Sequence, residues 1–360
     1  MYKNIPNPVL VRRRLLRWYD QNGRELPWRY KKGQIPDPYY VWLSEIMLAQ
    51  TTVKVVKGYF DKFLNRWPTI EKLANAELDE VLHAWQGLGY YARARNLHKT
   101  AKIIVGEMGG HFPDTELALR KLPGIGDYTA AAIATIVFNK VVTPVDANIE
   151  RVTSRLFAFG DMLPKGKMQI RKFASVLTPN ARPGDFAQAL MDLGSGVCNP
   201  KKPDCKNCPL KLDCLAFMNG NPNHYPVKSV KPVRNVRRGM VFWVIRKDGR
   251  VMMRLRSKTG LLGGMAEFPS TDWREKDWTF GEAIKKSPIR ASWRQLDGMI
   301  RHTFSHFHLE LRVLAADLKM ENNFKDANKF LWVLPSQFPN YALPSIMKKV
   351  AHHVANETIR

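Results

Sequence analysis

All four cysteines of this 360-residue chain fall in one short run, Cys198, Cys205, Cys208 and Cys214, spaced C-x6-C-x2-C-x5-C. Few features constrain a fold as tightly. Four thiolates on tethers this short can converge on a single centre, so a metal site is the expectation for this loop, with four unrelated buried cysteines as the alternative. A disulfide framework spreads its cysteines over a secreted domain, and the clustering instead favours a reducing compartment. By ligand type alone, zinc and a [4Fe–4S] cluster fit equally well. Lys201, Lys202, Lys206 and Lys211 interleave the cysteines and make the loop cationic.

Positive charge extends over the whole chain, with 57 Lys+Arg against 32 Asp+Glu and a formal net charge of +25. Steering and counterion release then favour a polyanionic partner, nucleic acid first, although a basic surface also serves solubility alone. The 45% hydrophobic content is ample for packed cores in two domains. No apolar run reaches the roughly 20 residues that a membrane-spanning helix needs. Residues 1–18, with Arg12, Arg13, Arg14 and Arg17 among Leu and Val, read as a basic amphipathic helix and not as a signal peptide. The expectation is a soluble, cytoplasmic protein with no membrane partner.

From about residue 8 to 216, apolar positions three to four apart mark helices at 41–48, 53–64, 78–85, 130–138 and 186–193. Pro68, Pro113, Pro123, Pro144, Pro183 and the pair Gly109-Gly110 punctuate them. Residues 1–218 thus read as a mainly α region. Residues 219–238, NGNPNHYPVKSVKPVRNVRR, contain no acid and read as a linker. Its Lys228, Lys231, Arg234, Arg237 and Arg238 are equally a solvated run or a phosphate track. Beyond it, residues 241–246 and 251–256 flank Asp248-Gly249 as in a tight hairpin, and 302–313 alternate like a further strand. Residues 239–360 therefore form a smaller α+β domain.

Three places in the helical region carry candidate chemistry. Leu122-Pro123-Gly124-Ile125-Gly126 joins a helix ending near Lys121 to an Ala-rich helix starting near Tyr128. Its glycines let backbone amides approach a phosphate and the helix N-terminus adds positive charge, though Pro-Gly turns are also plain punctuation between helices. Glu45 is the only acid in VWLSEIML, residues 41–48. Apolar flanks raise the pKa of such a group where it is buried; otherwise it marks the wet face of the helix. Asp146 precedes the helical stretch 148–159 and can serve there as an N-cap, which does not exclude catalysis.

The segments PWR (27–29), VWLSEIMLAQT (41–51), GLGYYARARNLH (87–98), LPGIGDYTA (122–130) and PVDANIERV (144–152) together resemble the adenine DNA glycosylases, the MutY family. That family lies in the helix-hairpin-helix, endonuclease III superfamily, and the match runs over most of residues 8–216. The cysteine spacing resembles the superfamily's loop, which implies a structural [4Fe–4S] cluster on Cys198, Cys205, Cys208 and Cys214, with the lysines facing DNA phosphate. The resemblance implies a monomer that hydrolyses the N-glycosidic bond of adenine opposite 8-oxoguanine or G in double-stranded DNA, in base excision repair at the nucleoid. Purine removal needs an acid for the leaving base and an ionised carboxylate for an oxocarbenium-like sugar. On matching positions these are Glu45 and Asp146, with Asn148 supporting the site and Tyr128 buttressing Asp146. Arg29 lines the adenine pocket, and Gln50 and Tyr90 wedge into the duplex round the flipped nucleotide. Leu122, Gly124 and Gly126 belong to the phosphate-binding hairpin. Bifunctional relatives carry a nucleophilic lysine at the position of Tyr128; a phenol forms no Schiff base, so a monofunctional enzyme is expected. Ala49 and Thr52 stand where the family commonly has glutamine, and Gln188 where some members carry an acid.

In the C-terminal part, GLLGGMAEFP (260–269) and HTFSHFH (302–308) resemble the Nudix-like domain that these glycosylases append. A Nudix hydrolase holds its metal with a string of glutamates, and only Glu267 follows Gly264 before the pattern changes, so no such hydrolysis is expected. Phe304-Ser305-His306 matches the loop with which the family reads the base opposite adenine. Ser305 and His306 supply the hydrogen-bonding groups and Phe304 the packing. His302, His306 and His308 fit strand alternation better than a zinc site. Two readings from other classes stand beside this one. A cluster-bearing DNA-binding protein with a dead site would be indifferent to loss of Glu45, and a bifunctional glycosylase/lyase needs a lysine at position 128.

Overall fold

The computed structural model describes residues 6–31, 33–229, 233–257, 260–318 and 329–358. Residues 1–5 of the expected N-terminal helix and Lys231 of the expected linker lie outside them. The chain divides into two compact units, Met1–Ala76 with Asn96–Lys231, and Glu77–Arg95 with Pro232–Arg360.

The first unit is helical. Asn7 and Asp37 cap the helices Pro8–Asn22 and Pro38–Leu48 with their side chains, each followed by a proline whose missing N–H costs nothing at a first helical position. Pro38–Leu48 and Asp127–Ile136 are buried almost all round, which is why their sequences are apolar on every face. The helix Pro183–Asp192 packs against Asp127–Ile136 at backbone contact: a Cβ on Gly184 would stand 2.7 Å from the Thr135 carbonyl oxygen. Val11 and Leu15 from the first helix, Ile149, Val152 and Leu156 from Ala147–Leu156, and Phe186 and Leu190 from Pro183–Asp192 form the core. The arginines of the first helix are partly spent inside the unit. Arg12 donates to the carbonyls of Val176, Leu177 and Thr178 and so caps the helix Lys167–Leu177, and Arg14 pairs with Asp213.

The second unit holds a mixed sheet of β1 (Asn235–Arg246), β2 (Val251–Leu255), β3 (Ala266–Glu267), β4 (Arg294–Gln295), β5 (Ile300–Thr303), β6 (Phe307–Leu318) and β7 (Leu331–Val333). The order is β3-β2-β1-β6-β4, with β5 also on β6 and β7 on β2. β1 and β2 form the expected hairpin, with Gly249 at φ 77°. β1 starts earlier than its apolar run, at Asn235 inside the expected linker, because it pairs in parallel with β6 from Asn235↔Phe307 to Arg246↔Leu318. Val241 and Trp243 face a core closed by Ile346, Met347 and Val350 of the helix Ser345–Thr358, while Met240 and Phe242 face Trp278 and Ala283 on the other side. Burial on both faces replaces the alternation of a half-wet strand with the continuous run MVFWV. The expected strand at 302–313 is two strands: β5 ends at Thr303, and Phe304 N–H donates to the Phe307 carbonyl at 2.9 Å to close a turn. The short helix Leu78–Ala84 and the turn after it are also part of this unit, held by His83 Nε2 at 2.9 Å from the Pro339 oxygen and by Gln86 donating to the Tyr341 carbonyl.

Candidate active site

A cleft of about 590 Å³ opens in the first unit, within the range of small-molecule sites. Its walls include Glu45, Tyr128, Asp146 and Asn148, together with Arg29 and Gln50, so these six of the expected residues line one space, while Tyr90, Leu122, Gly124 and Gly126 lie outside it. Glu45 sits in the all-round buried helix Pro38–Leu48 and is only 6% exposed. Burial pushes its carboxyl up to about 7, with the nearby Asp146 charge acting the same way, against a hydrogen bond from Tyr128 and the charge of Arg29. The Tyr128 phenol is itself held well above its ordinary range, first by burial and then by the charges of Glu45 and Asp146. It stays a neutral donor.

Asp146 caps the helix Ala147–Leu156: its Oδ1 accepts from the amides of Asn148 at 2.9 Å and Ile149 at 2.7 Å. Its Oδ2 accepts from Asn148 Nδ2 at 2.8 Å. Burial still outweighs these donors and raises the carboxyl above the ordinary aspartate range. Asn148 is fixed from behind, because Arg151 donates to its Oδ1 at 2.9 Å. The π-helical turn Leu193–Val197 packs on it so closely that a Cβ on Gly194 would lie 2.6 Å from the Asn148 Cβ.

One residue behind the cleft wall, bonded to its Arg24 and Arg29, escaped the pattern reading. Asp192 ends the helix Pro183–Asp192 with its side chain 1% exposed and receives a two-pronged contact from Arg29, at 2.6 and 2.8 Å, and a third from Arg24 at 2.7 Å. Burial alone would raise this carboxyl, but the Arg29 and Arg24 hydrogen bonds and charges hold it below the ordinary range. Arg29 therefore lines the cleft with its guanidinium fork already engaged. Gln188, 8% exposed, also lines the cleft, as do Ala49 and Thr52. Gln50 has φ 71°, a conformation that costs a non-glycine residue energy and tends to mark functional loops.

The segment at 122–126 forms a tight turn between the short helix Glu116–Leu119 and Asp127–Ile136, with Leu122 buried. Gly124 adopts φ 77° and a Cβ there would meet the Asn96 Cβ at 2.7 Å, so glycine is required twice over. Gly126 is the N-cap of Asp127–Ile136. The first residue of that helix is an acid, Asp127, which pairs with Arg120 at 2.9 Å and Arg171 at 3.4 Å.

Cys198, Cys205, Cys208 and Cys214 line one pocket together with Arg155, Lys211 and Phe217. Arg155, 2% exposed, donates to the carbonyls of Asn199 and Pro200 and lies 3.3 Å from Cys198 Sγ. Among the described residues no three His, Cys, Asp or Glu side chains stand close enough to hold a single metal ion. Zinc with bonds of about 2.3 Å needs its sulfurs roughly 4 Å apart, and a polynuclear cluster accepts a wider set. The remaining expected residues belong to the second unit. Tyr90 is 52% exposed at φ 48°, and its hydroxyl lies 2.5 Å from Ser305 Oγ. Phe304, Ser305 and His306 form the turn between β5 and β6 instead of continuing a strand.

The description "HhH-GPD superfamily base excision DNA repair protein" matches residues 43–179, and "NUDIX domain" matches residues 240–353. Among solved structures, a thermostable thymine-DNA glycosylase is 28% identical, with 59% of this chain and 97% of that chain covered at a TM-score of 0.53. Fold and cleft thus define a helix-hairpin-helix protein of base excision DNA repair with a Nudix domain appended. The adenine DNA glycosylase of Homo sapiens is 33% identical over 411 residues, covering 97% of this chain and 75% of the relative. That of Buchnera aphidicola subsp. Schizaphis graminum (strain Sg) is 33% identical over 343 residues, covering 93% and 96%. The chain belongs to the adenine DNA glycosylase family.

Proposed function

We propose that this enzyme hydrolyses the N-glycosidic bond of adenine mispaired with 8-oxoguanine or G in double-stranded DNA, and that it acts as a monomer without a strand-cutting step. The observation that carries the reading is Glu45, a carboxyl that titrates at about 7 inside a cleft and therefore keeps about half its population protonated at neutral pH. Its proton passes to the leaving adenine as the bond to the sugar breaks, and the electron pair of that bond leaves with the base. The sugar becomes an oxocarbenium ion, whose positive charge favours ionised Asp146 and offsets the cost of burying that carboxylate. Water then adds to the sugar and gives up a proton that restores the Glu45 carboxyl, and an abasic site remains. Asn148 and the amides of residues 148 and 149 hold Asp146 in place. Tyr128, which could form no imine, hydrogen-bonds Glu45.

Gln50 and Tyr90 are the wedges that hold the duplex open in this reading, a role their strained backbone supports. Leu122, Gly124 and Gly126 take a phosphate, and Arg29 orders the base pocket through its pairing with Asp192. Residues 1–218 carry the chemistry, 219–238 link, and 239–360 read the opposite base through Phe304, Ser305 and His306. A [4Fe–4S] cluster on the four cysteines fits their convergence on one pocket. It would tie the loop together and add no redox step to the hydrolysis. Purified anaerobically, the protein is expected to contain about four irons per chain; stoichiometric zinc without iron overturns that assignment.

The functional test is incubation with a duplex holding one A opposite 8-oxoguanine. Base release without strand cutting at neutral pH, followed by cutting in alkali, is the expected result. Absence of alkali-labile sites at that adenine, or trapping of a covalent complex by borohydride in good yield, overturns it.

A further inference from the structure

The turn that carries Phe304, Ser305 and His306 exposes Ser305 and His306, so its placement depends on Phe304 and on the Tyr90 hydroxyl at Ser305. The Phe304 ring packs on the Trp273 ring, with centroids 5.8 Å apart and planes 28° from parallel. Trp273 has nothing polar to orient it, since its indole N–H is buried without a hydrogen-bond partner. Shape and charge hold it instead. It lies over Gly239 on β1, where a Cβ would come within 2.9 Å of its Cδ1, and the Arg256 guanidinium stands 5.2 Å from its ring centroid. Arg256 in turn cannot turn away: its Nε donates to the Leu261 carbonyl at 3.1 Å and its Nη1 pairs with Glu267. Glu267 is 1% exposed, and its other oxygen takes Arg254 at 2.8 Å.

We propose that Trp273, clamped by the Arg256–Glu267 pair and seated on Gly239, is a positioning platform for the Phe304-Ser305-His306 turn, so that Arg256 and Glu267 set selectivity for the opposite base without touching DNA. The inference rests on the reading of that turn as the sensor of the opposite base. Hydrogen-bond discrimination depends on sub-ångström placement of the donors, and a supporting ring that tilts loosens them even when the protein stays folded. The lone glutamate of the GLLGGMAEFP segment then has a use that needs no metal.

The experiment is single-turnover adenine excision by the full chain on duplexes with A opposite 8-oxoguanine and A opposite G, at equal salt. Ser305→Ala, Arg256→Met and the double variant are compared by the ratio of the two rates. Each single change is expected to lower the ratio about three- to tenfold, and the double no further than the larger single, because both act through one turn. Arg256→Lys is expected not to rescue, since a single ammonium cannot hold Leu261 and Glu267 while facing the indole. Gly239→Ala displaces Trp273 without touching a charge and is expected to lower the ratio too; it carries the test if Arg256→Met does not fold. A lowered ratio in Ser305→Ala with wild-type ratios in Arg256→Met and Gly239→Ala overturns the platform and leaves the sensor reading intact. A wild-type ratio in Ser305→Ala removes the sensor reading and the proposal with it. Additive losses, or rescue by lysine, also overturn the platform.

Discussion

Glu45 and Glu267 are sealed from solvent to a similar degree, at 6% and 1% exposed, and differ in their company. Glu45 lies in a helix of the first unit among Trp42, Leu43, Ile46 and Met47, with no cation among the described residues bonded to it and a neutral phenol as its hydrogen-bond donor. Glu267 lies on β3 of the second unit and is gripped by two guanidiniums. Burying a carboxylate without a counterion favours its protonated form, and the result is an acid that can give up a proton near neutrality. Burying it between cations keeps the charge and makes a strut. Asp192 shows both effects within the first unit: burial works on it as on Glu45, yet Arg29 and Arg24 reverse the outcome. Burial alone therefore does not make an acid catalytic, and the absence of a bonded cation does more to define Glu45.

The strongest way to break this comparison is Glu45→Gln. Loss of the proton donor is expected to slow single-turnover excision by about a hundred- to ten-thousandfold or more, with duplex binding nearly unchanged in a mobility or anisotropy assay. Near-normal excision would show that the proton comes from elsewhere. The same variant carries a stability signature. Because the native carboxyl titrates at about 7 against an ordinary 4.5, the folded state keeps a proton that the unfolded chain releases. Its contribution to stability is complete below about 4.5 and is lost as pH rises through about 7. Glu45→Gln is therefore expected to be more stable than the parent at pH 8, by up to about 3 kcal/mol, and to lose that advantage near pH 4.

Glu267→Gln should do the opposite. Removing a buried charge that two arginines have been desolvated to meet is expected to destabilise the protein by about 2 kcal/mol; the partial exposure of Arg254 and Arg256 keeps the loss below that of a fully sealed pair. Chemical denaturation at pH 8 compares the two variants directly, and the same sign for both would erase the distinction between acid and strut.

These differences explain what could be seen before the fold was known. The N-cap role of Asp146 follows from its place before an amphipathic stretch, since capping is a local property. The burial of Glu45 does not, because the same eight residues suit a half-wet helix. That burial becomes visible only in the fold, where Glu45 lines the cleft beside Trp28 and Tyr128 and is 6% exposed. Asp192 was invisible for a related reason: its partners Arg24 and Arg29 come from the opposite end of the helical region. The turn at 304–306 hid within an alternating pattern because a short hairpin without glycine preserves the period of two on both sides. The early start of β1 was hidden as well, since Asn235, Arg237 and Arg238 pair by their backbones and carry polar side chains that leave Val236 the lone apolar residue there.

The pH profile sharpens the comparison further. If protonated Glu45 is the working acid, single-turnover excision falls about tenfold per pH unit well above 7 and levels off below it until other groups titrate. In Asp192→Asn that alkaline limb is expected to keep its position, because Asp192 is not among the groups that shift Glu45. A limb that moves with Asp192 would mean that Asp192 and Glu45, both of which act on Arg29, titrate as one coupled set.

The smallest effect expected is also the most diagnostic of how Glu45 is tuned. The Tyr128 phenol donates a hydrogen bond to the Glu45 carboxyl and stabilises its charged form, so it pulls the pKa down against the larger effect of burial. Tyr128→Phe removes that donor and leaves the ring to fill the same space. The Glu45 carboxyl then titrates higher, and the alkaline limb of the excision profile moves to higher pH. A neutral hydrogen bond is worth about 1 kcal/mol, which corresponds to a shift of somewhat under one pH unit. At pH 8 the variant should therefore retain a larger fraction of its own plateau rate than the parent does, even if the plateau itself is lower because Glu45 is held less firmly. A limb that moves to lower pH, or stays where it is while the plateau falls, would show that Tyr128 only positions Glu45 and does not set its acidity. The lack of a bonded cation would then be what separates Glu45 from Asp192 and Glu267.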